Sequence, residues 1–285
     1  MFPEFLNENF HEFILELKEN NKILSNNKDI IISDLQKLLL NAVAKRLNDK
    51  NRVGIAFSGG LDSCLLAFLC KKLGINFKLY SVGLSESKDL DNALEAALMM
   101  KWPIKFNIIP FDDVKNIIER VIAITNKRDV VNVGVGCVSY SVLKLIKEDN
   151  VNMAVTGLGS EELFAGYDKY RVKDVNEVAW NGLSNLWEKD LERDSKLASF
   201  FDINVYCPFL DKELIRCAMN VDGRLKLEGE KKALLREVAL KLGLNEKLVS
   251  RKRLAGQYGS RFDYAIKKLA TLNGFRDKSN YLNSL

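Results

Sequence analysis

Ser58-Gly59-Gly60-Leu61-Asp62-Ser63 follows the apolar run Val53-Gly54-Ile55-Ala56-Phe57 and opens a helical pattern with Leu61, Leu65, Phe68, Leu69 and Leu73 on one face. A buried strand, two glycines and a helix start together make an anion site. Backbone N–H groups at a helix N-terminus point at a ligand, and the helix dipole favours negative charge there. Gly59 and Gly60 remove side chains that would block a phosphate, and Ser58 and Ser63 add hydroxyl donors. Asp62 fits such a cradle only if a divalent cation stands between carboxylate and phosphate. The stretch therefore reads as a site for the phosphates of ATP with Mg²⁺. It is not the G-x-x-x-x-G-K-[ST] loop, because no lysine follows the glycines.

Further along, Thr156-Gly157-Leu158-Gly159-Ser160-Glu161-Glu162-Leu163-Phe164-Ala165-Gly166-Tyr167 repeats the design: a strand running into glycines, a serine and acids at a helix start. Carboxylates beside a phosphate site would repel the substrate without a cation, so Asp62 and Glu161 are expected to share one Mg²⁺.

Between and around these loops, strand candidates at Val53–Phe57, Phe77–Val82, Ile104–Ile109 and Val151–Thr156 alternate with helical stretches at Leu61–Leu73, Asp89–Lys101, Phe111–Thr125 and Val138–Lys147. That alternation predicts an α/β fold, a doubly wound parallel sheet with ligands at the carboxyl ends of its strands. After Glu161 the pattern is mainly helical. Residues 1–27 read as polar helix, and a second helix is expected to begin at Ser33, with Gln36 completing a capping box. The expected organisation is a helical extension over 1–32, a nucleotide domain over 33–270 and a loose polar tail over 271–285.

Composition narrows the chemistry. The 285 residues are 47% hydrophobic and carry a net charge of +5, which suits a small anionic substrate as well as a nucleic acid. No apolar run approaches the ~18–20 residues of a membrane span. The five cysteines, at 64, 70, 137, 207 and 217, form no C-x-x-C pair, so disulfides and zinc ribbons are not expected and a cytoplasmic setting fits. His11 is the single histidine, which removes multi-histidine metal sites.

SGGLDS resembles the pyrophosphate loop of the ATP pyrophosphatases. Together with GLGSEELFAGYDKY it resembles the synthetase domain of asparagine synthetases and their β-lactam synthetase relatives. Further matches follow in order. Tyr80-Ser81-Val82-Gly83-Leu84, then Ser87 and Asp89, is similar to the adenine-contacting segment. Arg193 and Lys196 precede Cys207-Pro208-Phe209-Leu210-Asp211, similar to the family's VPFLD turn. Lys232, Leu235 and Arg236 match K-x-x-L-R. Arg251-Lys252-Arg253 with Gln257-Tyr258-Gly259-Ser260 resembles the lysine-bearing C-terminal loop.

The resemblance implies an adenine nucleotide α-hydrolase-like fold and an AMP-forming carbon–nitrogen ligase with ATP and Mg²⁺. A carboxylate is adenylated and an amine then displaces AMP. Ser58, Gly59, Gly60, Leu61, Asp62 and Ser63 would hold pyrophosphate, and Asp62 and Glu161 the metal. Ala56, Val82, Gly83 and Gly157 would face the nucleotide. Lys252, Arg253 and Glu161 would act at the reacting centre.

The chain also departs from the family. Glutamine-dependent members begin with a glutaminase domain and a cysteine at position 2. Here position 2 is Phe2 and only residues 1–57 precede the loop. Free ammonia, a separate glutaminase or another amine is therefore expected as donor. Leu158 stands where many members carry the glutamate of GEGSDE, Arg253 where a lysine is usual, and Asn204 and Tyr206 where glutamate and arginine precede PFLD. Leucine cannot act as a base. The ATP half reads as intact and the acceptor half as altered. Two alternatives stay open: a tRNA-modifying ATP pyrophosphatase and a non-catalytic ATP-binding relative.

Overall fold

The computed structural model describes residues 9–20, 27–47, 52–171, 174–251 and 255–285. Five parallel strands, β1 (Val53–Ala56), β2 (Phe77–Gly83), β3 (Ile104–Ile108), β4 (Met153–Val155) and β5 (Asn204–Tyr206), form a sheet in the order β3-β2-β1-β4-β5. The order reverses between β1 and β4, so the ligand crevice of a doubly wound sheet falls beyond their carboxyl ends. Gly54 pairs with Ala154 and Ile55 with Val155, a register that brings the loops following both strands to the same end of the sheet.

The helices are α1 (Phe10–Glu19), α2 (Lys28–Leu47), α3 (Leu61–Lys72), α4 (Lys88–Met100), α5 (Val114–Thr125), α6 (Val130–Glu148), α7 (Ser160–Leu163) and α8 (Val175–Ser184). After a π-turn at Trp187–Leu191 come α9 (Glu192–Phe200), α10 (Lys212–Met219), α11 (Ala233–Leu242), α12 (Glu246–Val249), α13 (Gly256–Gly259), α14 (Phe262–Leu272) and α15 (Lys278–Ser284). Helix α2 packs on α3, α10 and α11, while α6 packs on α5, α9 and α14. The strands that line the crevice are buried on both faces. Val53, Ile55, Leu79, Ala154 and Val155 have no exposed surface, as expected of a central parallel sheet.

The expected fold class and four of the strands are present, and several local expectations are corrected. Helix α2 runs through Ser33 rather than starting there. Its start is marked by Asn27, whose Oδ1 accepts from the N–H groups of Asp29 and Ile30 at 3.1 and 3.3 Å. Helix α6 begins at Val130, well before Val138, capped by Asp129. Its two glycines near the start are contact points. A side chain at Gly134 would press on Gln257, and one at Gly136 on Val121 and Arg193. This α6, with mean hydropathy 1.4, is long and apolar enough to cross a membrane by length and composition, yet half of it is buried here against neighbouring helices. Strand β5 was missed because Ile203, Val205 and Cys207 alternate over too short a run. The expected loose tail forms α15, with Tyr281 and Leu282 buried and the Leu282 carbonyl accepting from Arg128 at 3.1 Å. All five cysteines are free thiols.

Two buried ionisable groups are costly. Lys226 is fully buried, and among the described residues its ammonium reaches the Met219 sulfur, at 3.4 Å. Burial pushes its pKa down to about 7. Glu162 is 2% exposed, and burial pushes its carboxyl up to about 7, only partly opposed by Lys189. Lys226→Met keeps the length of the chain and removes the charge. It should raise stability at neutral pH by on the order of 2 kcal/mol, measured by denaturant unfolding. The wild-type penalty is full below pH 7 and relieved as pH rises toward the unfolded value of 10.5, so the variant should also lose that upward slope. Glu162 has the opposite sign. Between pH 4.5 and about 7 the unfolded chain binds fewer protons than the folded one, and stability falls as pH rises. Glu162→Gln should flatten that fall in a pH series of unfolding curves.

Candidate active site

The loop after β1 turns at Gly59, whose φ of +69° is a left-handed conformation. A side chain there would strike the Asn92 carbonyl of α4. The first glycine is thus demanded by packing against α4, a reason distinct from the phosphate clearance expected from sequence. Gly60 precedes α3 with no side-chain cap, which leaves the N–H groups of Leu61, Asp62 and Ser63 facing the crevice. Ser63 Oγ donates to the Gly60 carbonyl at 3.2 Å, so its hydroxyl supports the turn.

The second loop approaches from β4. Gly157 lies so close to Asp62 that an added Cβ would sit 3.0 Å from the Asp62 Cβ. Thr156 N–H donates to the Tyr206 carbonyl at 3.0 Å, and the short turn at Pro208–Leu210 backs this loop, with the Phe164 and Phe209 rings in edge contact. Asp62 and Glu161 do converge, but the cation between them is a side chain. Lys232 Nζ lies 2.7 and 2.8 Å from the two Asp62 oxygens, 2.9 Å from Glu161 Oε1, and donates to Ser160 Oγ at 3.1 Å. Burial alone would lower the Lys232 pKa, but the attraction of Asp62 and Glu161 outweighs it and the net shift is upward.

Lys232 enters this cradle from an unusual backbone. Its φ is +56°, left-handed for a non-glycine residue, a conformation that costs about 1–2 kcal/mol. Gly166 clears the way, since a side chain there would fall on the Glu161 carboxylate and the Lys232 Cε. Sequence reasoning placed Lys232 only within the K-x-x-L-R match and left it out of the site. The signal was available: two acidic loops wanted a cation, and this lysine begins the matched helix. Arg236 of the same motif holds a different partner, donating to the Val249 carbonyl and to the Lys231 carbonyl.

Val82 and Gly83 are buried at the end of β2, and Ala56 is half-buried on neighbouring β1. Ser87 caps α4 by accepting from the Leu90 N–H at 3.1 Å, and it donates to the Gly259 carbonyl at 3.0 Å. Leu84 N–H donates to the Ser260 carbonyl at 3.0 Å, so the segment 256–260 is docked against the end of β2. Lys252 and Arg253 lie outside the described residues.

Leu158 is half-buried against the apolar core. Tyr206 points away from the crevice, donating from its hydroxyl to the Ala42 carbonyl of α2 at 2.7 Å. Asp211 caps α10 and pairs with Lys45 at 3.1 Å. Arg193 and Lys196 brace helices. Arg193 is fully buried and bonded to Asp194, Asp190 and Asn132, and Lys196 donates to the Thr125 carbonyl and to Glu192.

Among the described residues no group of three or more His, Cys, Asp or Glu side chains could hold a metal ion. The two carboxylates gathered by Lys232 can nevertheless supply part of a Mg²⁺ shell, because that ion is commonly held by one or two carboxylates completed by substrate phosphates.

Comparison with known proteins bears on this geometry. The family model for asparagine synthase matches residues 34–184 and 171–275. A Methanocaldococcus jannaschii protein whose name assigns it as a glutamine-hydrolyzing asparagine synthetase is 28% identical over 284 residues, covering 86% of this chain and 52% of that protein. A glutamine-hydrolyzing asparagine synthetase of Brassica oleracea is 30% identical over 200 residues, covering 65% of this chain and 34% of its own length. The chain thus spans about half or less of these relatives. Among solved structures, an NMN synthetase from Francisella tularensis is similar with a TM-score of 0.44 at 13% identity, covering 91% of this chain and 94% of its own. With both glycine–acid loops on adjacent strands and the family match running through them, the chain belongs to the asparagine synthase family.

Proposed function

We propose that this protein is an ATP-dependent, AMP-forming carbon–nitrogen ligase that adenylates a small carboxylate and transfers its acyl group to ammonia or another amine. The observation that carries this reading is the meeting of Asp62 and Glu161 on one buried cation at the switch point of the sheet, beside the uncapped N-terminus of α3. Such a place suits the charged end of ATP.

In the proposed reaction a carboxylate oxygen attacks the α-phosphorus of ATP and pyrophosphate departs. The amine nitrogen then attacks the acyl carbon, AMP departs, and one proton leaves the nitrogen. The N–H groups from Gly60 to Ser63 would hold the departing pyrophosphate, and Lys232 would neutralise charge beside it. Mg²⁺, held by Asp62, Glu161 and phosphate oxygens, would supply further charge neutralisation. Catalysis of this kind is mostly positioning and electrostatics. Ala56, Val82, Gly83 and Gly157 would face the nucleotide, and Lys252 and Arg253 would cover the reacting centre. We take residues 33–270 as the catalytic unit, acting in the cytoplasm, with a separate glutaminase as one source of ammonia. Leu158 puts no base where the family's glutamate stands, so the amine would have to arrive as the free base or lose its proton elsewhere.

Exchange of labelled pyrophosphate into ATP tests the reading. A carboxylate from a broad panel should support exchange, and added ammonium should then yield AMP and an amide detectable by mass spectrometry. Asp62→Asn should lower exchange at least about 100-fold. If no carboxylate in the panel elicits exchange, the ligase assignment fails and a non-catalytic ATP-binding relative or a base-modifying enzyme is favoured. Lys232→Met should lower stability by about 3 kcal/mol, because two carboxylates lose their shared cation. Calorimetry of the variant with and without Mg²⁺ would check this, and added Mg²⁺ should return part of the loss.

A further inference from the structure

Arg251 is nearly buried, although it belongs to the densest basic cluster in the chain. Its Nη1 donates to the Asn92 carbonyl at 2.7 Å and, more weakly, to the Gly59 carbonyl at 3.4 Å. Its Nη2 pairs with Glu95 at 2.9 Å, a side chain that is 62% exposed. One nitrogen therefore bridges two backbone carbonyls, one on α4 and one in the phosphate loop. Those are the same two segments that Gly59 brings into contact by lacking a side chain.

The Gly59 carbonyl and the Gly60 N–H belong to one peptide unit. In a planar trans peptide the C=O and N–H point in opposite directions. Drawing the Gly59 carbonyl toward Arg251 turns the Gly60 N–H the other way, away from α4. Among the described residues that N–H has no hydrogen-bond partner in the protein. The flexible peptide between two glycines would otherwise rotate freely, since neither residue has a Cβ to restrict it.

We propose that Arg251 is a positioning residue for the phosphate loop: by holding the Gly59 carbonyl it fixes the Gly59–Gly60 peptide so that the Gly60 N–H is presented to pyrophosphate. This rests on the phosphate-loop assignment made above. The arginine also follows two residues after Val249, whose carbonyl accepts from Arg236, so its backbone is held beside α11. Lysine could not replace it, because a single ammonium does not reproduce a planar fork reaching two carbonyls and a carboxylate.

The test uses the full chain, Mg²⁺ and pyrophosphate. Titration calorimetry gives the affinity of each variant, and amide NMR of the ligand-free protein follows the Gly60 resonance. Arg251→Ala should weaken Mg·pyrophosphate binding about tenfold and move the Gly60 amide resonance. Arg251→Lys should recover little of either, and it serves as the comparison if the alanine variant does not fold. Glu95→Gln, which removes only the exposed ion pair, should leave both readouts at wild-type values. Unchanged affinity, or an unmoved Gly60 resonance, in folded Arg251 variants would overturn the proposal. So would an equal loss in Glu95→Gln. Failure of the wild type to bind Mg·pyrophosphate would overturn the phosphate-site reading instead, and the Gly60 resonance would still decide the role of Arg251.

Discussion

The ammonium of Lys232 stands between Asp62 and Glu161, and the geometry around the crevice follows from it. Two carboxylates at the ends of adjacent strands, both near a dry interior, repel one another unless a cation joins them. The cation here comes from a residue far along the chain, at the start of α11. Every feature nearby serves that approach. Lys232 takes a left-handed backbone, Gly166 gives up its side chain, and Gly157 lets Asp62 close on the second loop. The ion pairs therefore do more than balance charge. They fasten the helical C-terminal part to both loops of the sheet. A buried pair of this kind contributes less to stability than its distances suggest, because desolvation offsets most of the attraction. Its stronger effect is on specificity of arrangement: without it the two loops have no reason to keep their separation.

The same logic explains how an anion-accepting crevice is built with so few charged side chains. The strand order supplies the crevice, the uncapped start of α3 supplies N–H donors, and Lys232 supplies positive charge. Mg²⁺ arriving with phosphate would meet carboxylates already gathered. An ammonium that satisfies the carboxylates in the absence of metal keeps the site assembled, and phosphate oxygens can share both cations when they enter.

Much of this was legible in the sequence, and what was not has a physical reason. SGGLDS and GLGSEE were readable because a glycine turn between strand and helix has few alternative uses. Asp62 and Glu161 could be paired because like charges demand an explanation. The identity of their cation was not readable from the loops alone, since Lys232 is brought in by tertiary packing across 170 residues of chain. Local periodicity failed where packing overrode it. The helix expected from Val138 begins at Val130, because Gly134 and Gly136 let α6 touch other elements there. The polar tail looked loose, yet Tyr281 and Leu282 find a buried seat. Gly59 was read as a phosphate clearance and proves to be a packing necessity against α4, which only the three-dimensional neighbour could reveal.

The two halves of the crevice are constrained in different ways, and this bears on the departures from the family pattern. The side that carries the two glycine loops is held by backbone: strand ends, glycine contacts and peptide carbonyls gripped by Arg236 and Arg251. Those contacts interlock, so a change at one residue disturbs several others. The acceptor half is made of side chains that can be reassigned singly. Tyr206 has been taken up by the contact with α2, where its hydroxyl satisfies the Ala42 carbonyl, and an arginine there would have to leave that interior or find a counter-charge. Leu158 is seated against the apolar core, so its loss of a carboxylate brings a gain in burial. The substitutions at 158 and 206 are thus compatible with the fold as it stands, whereas comparable changes at Asp62, Gly59 or Lys232 are not. The side chains at 158 and 206 can therefore change while the backbone contacts of Thr156 and Tyr206 that hold the second loop stay in place.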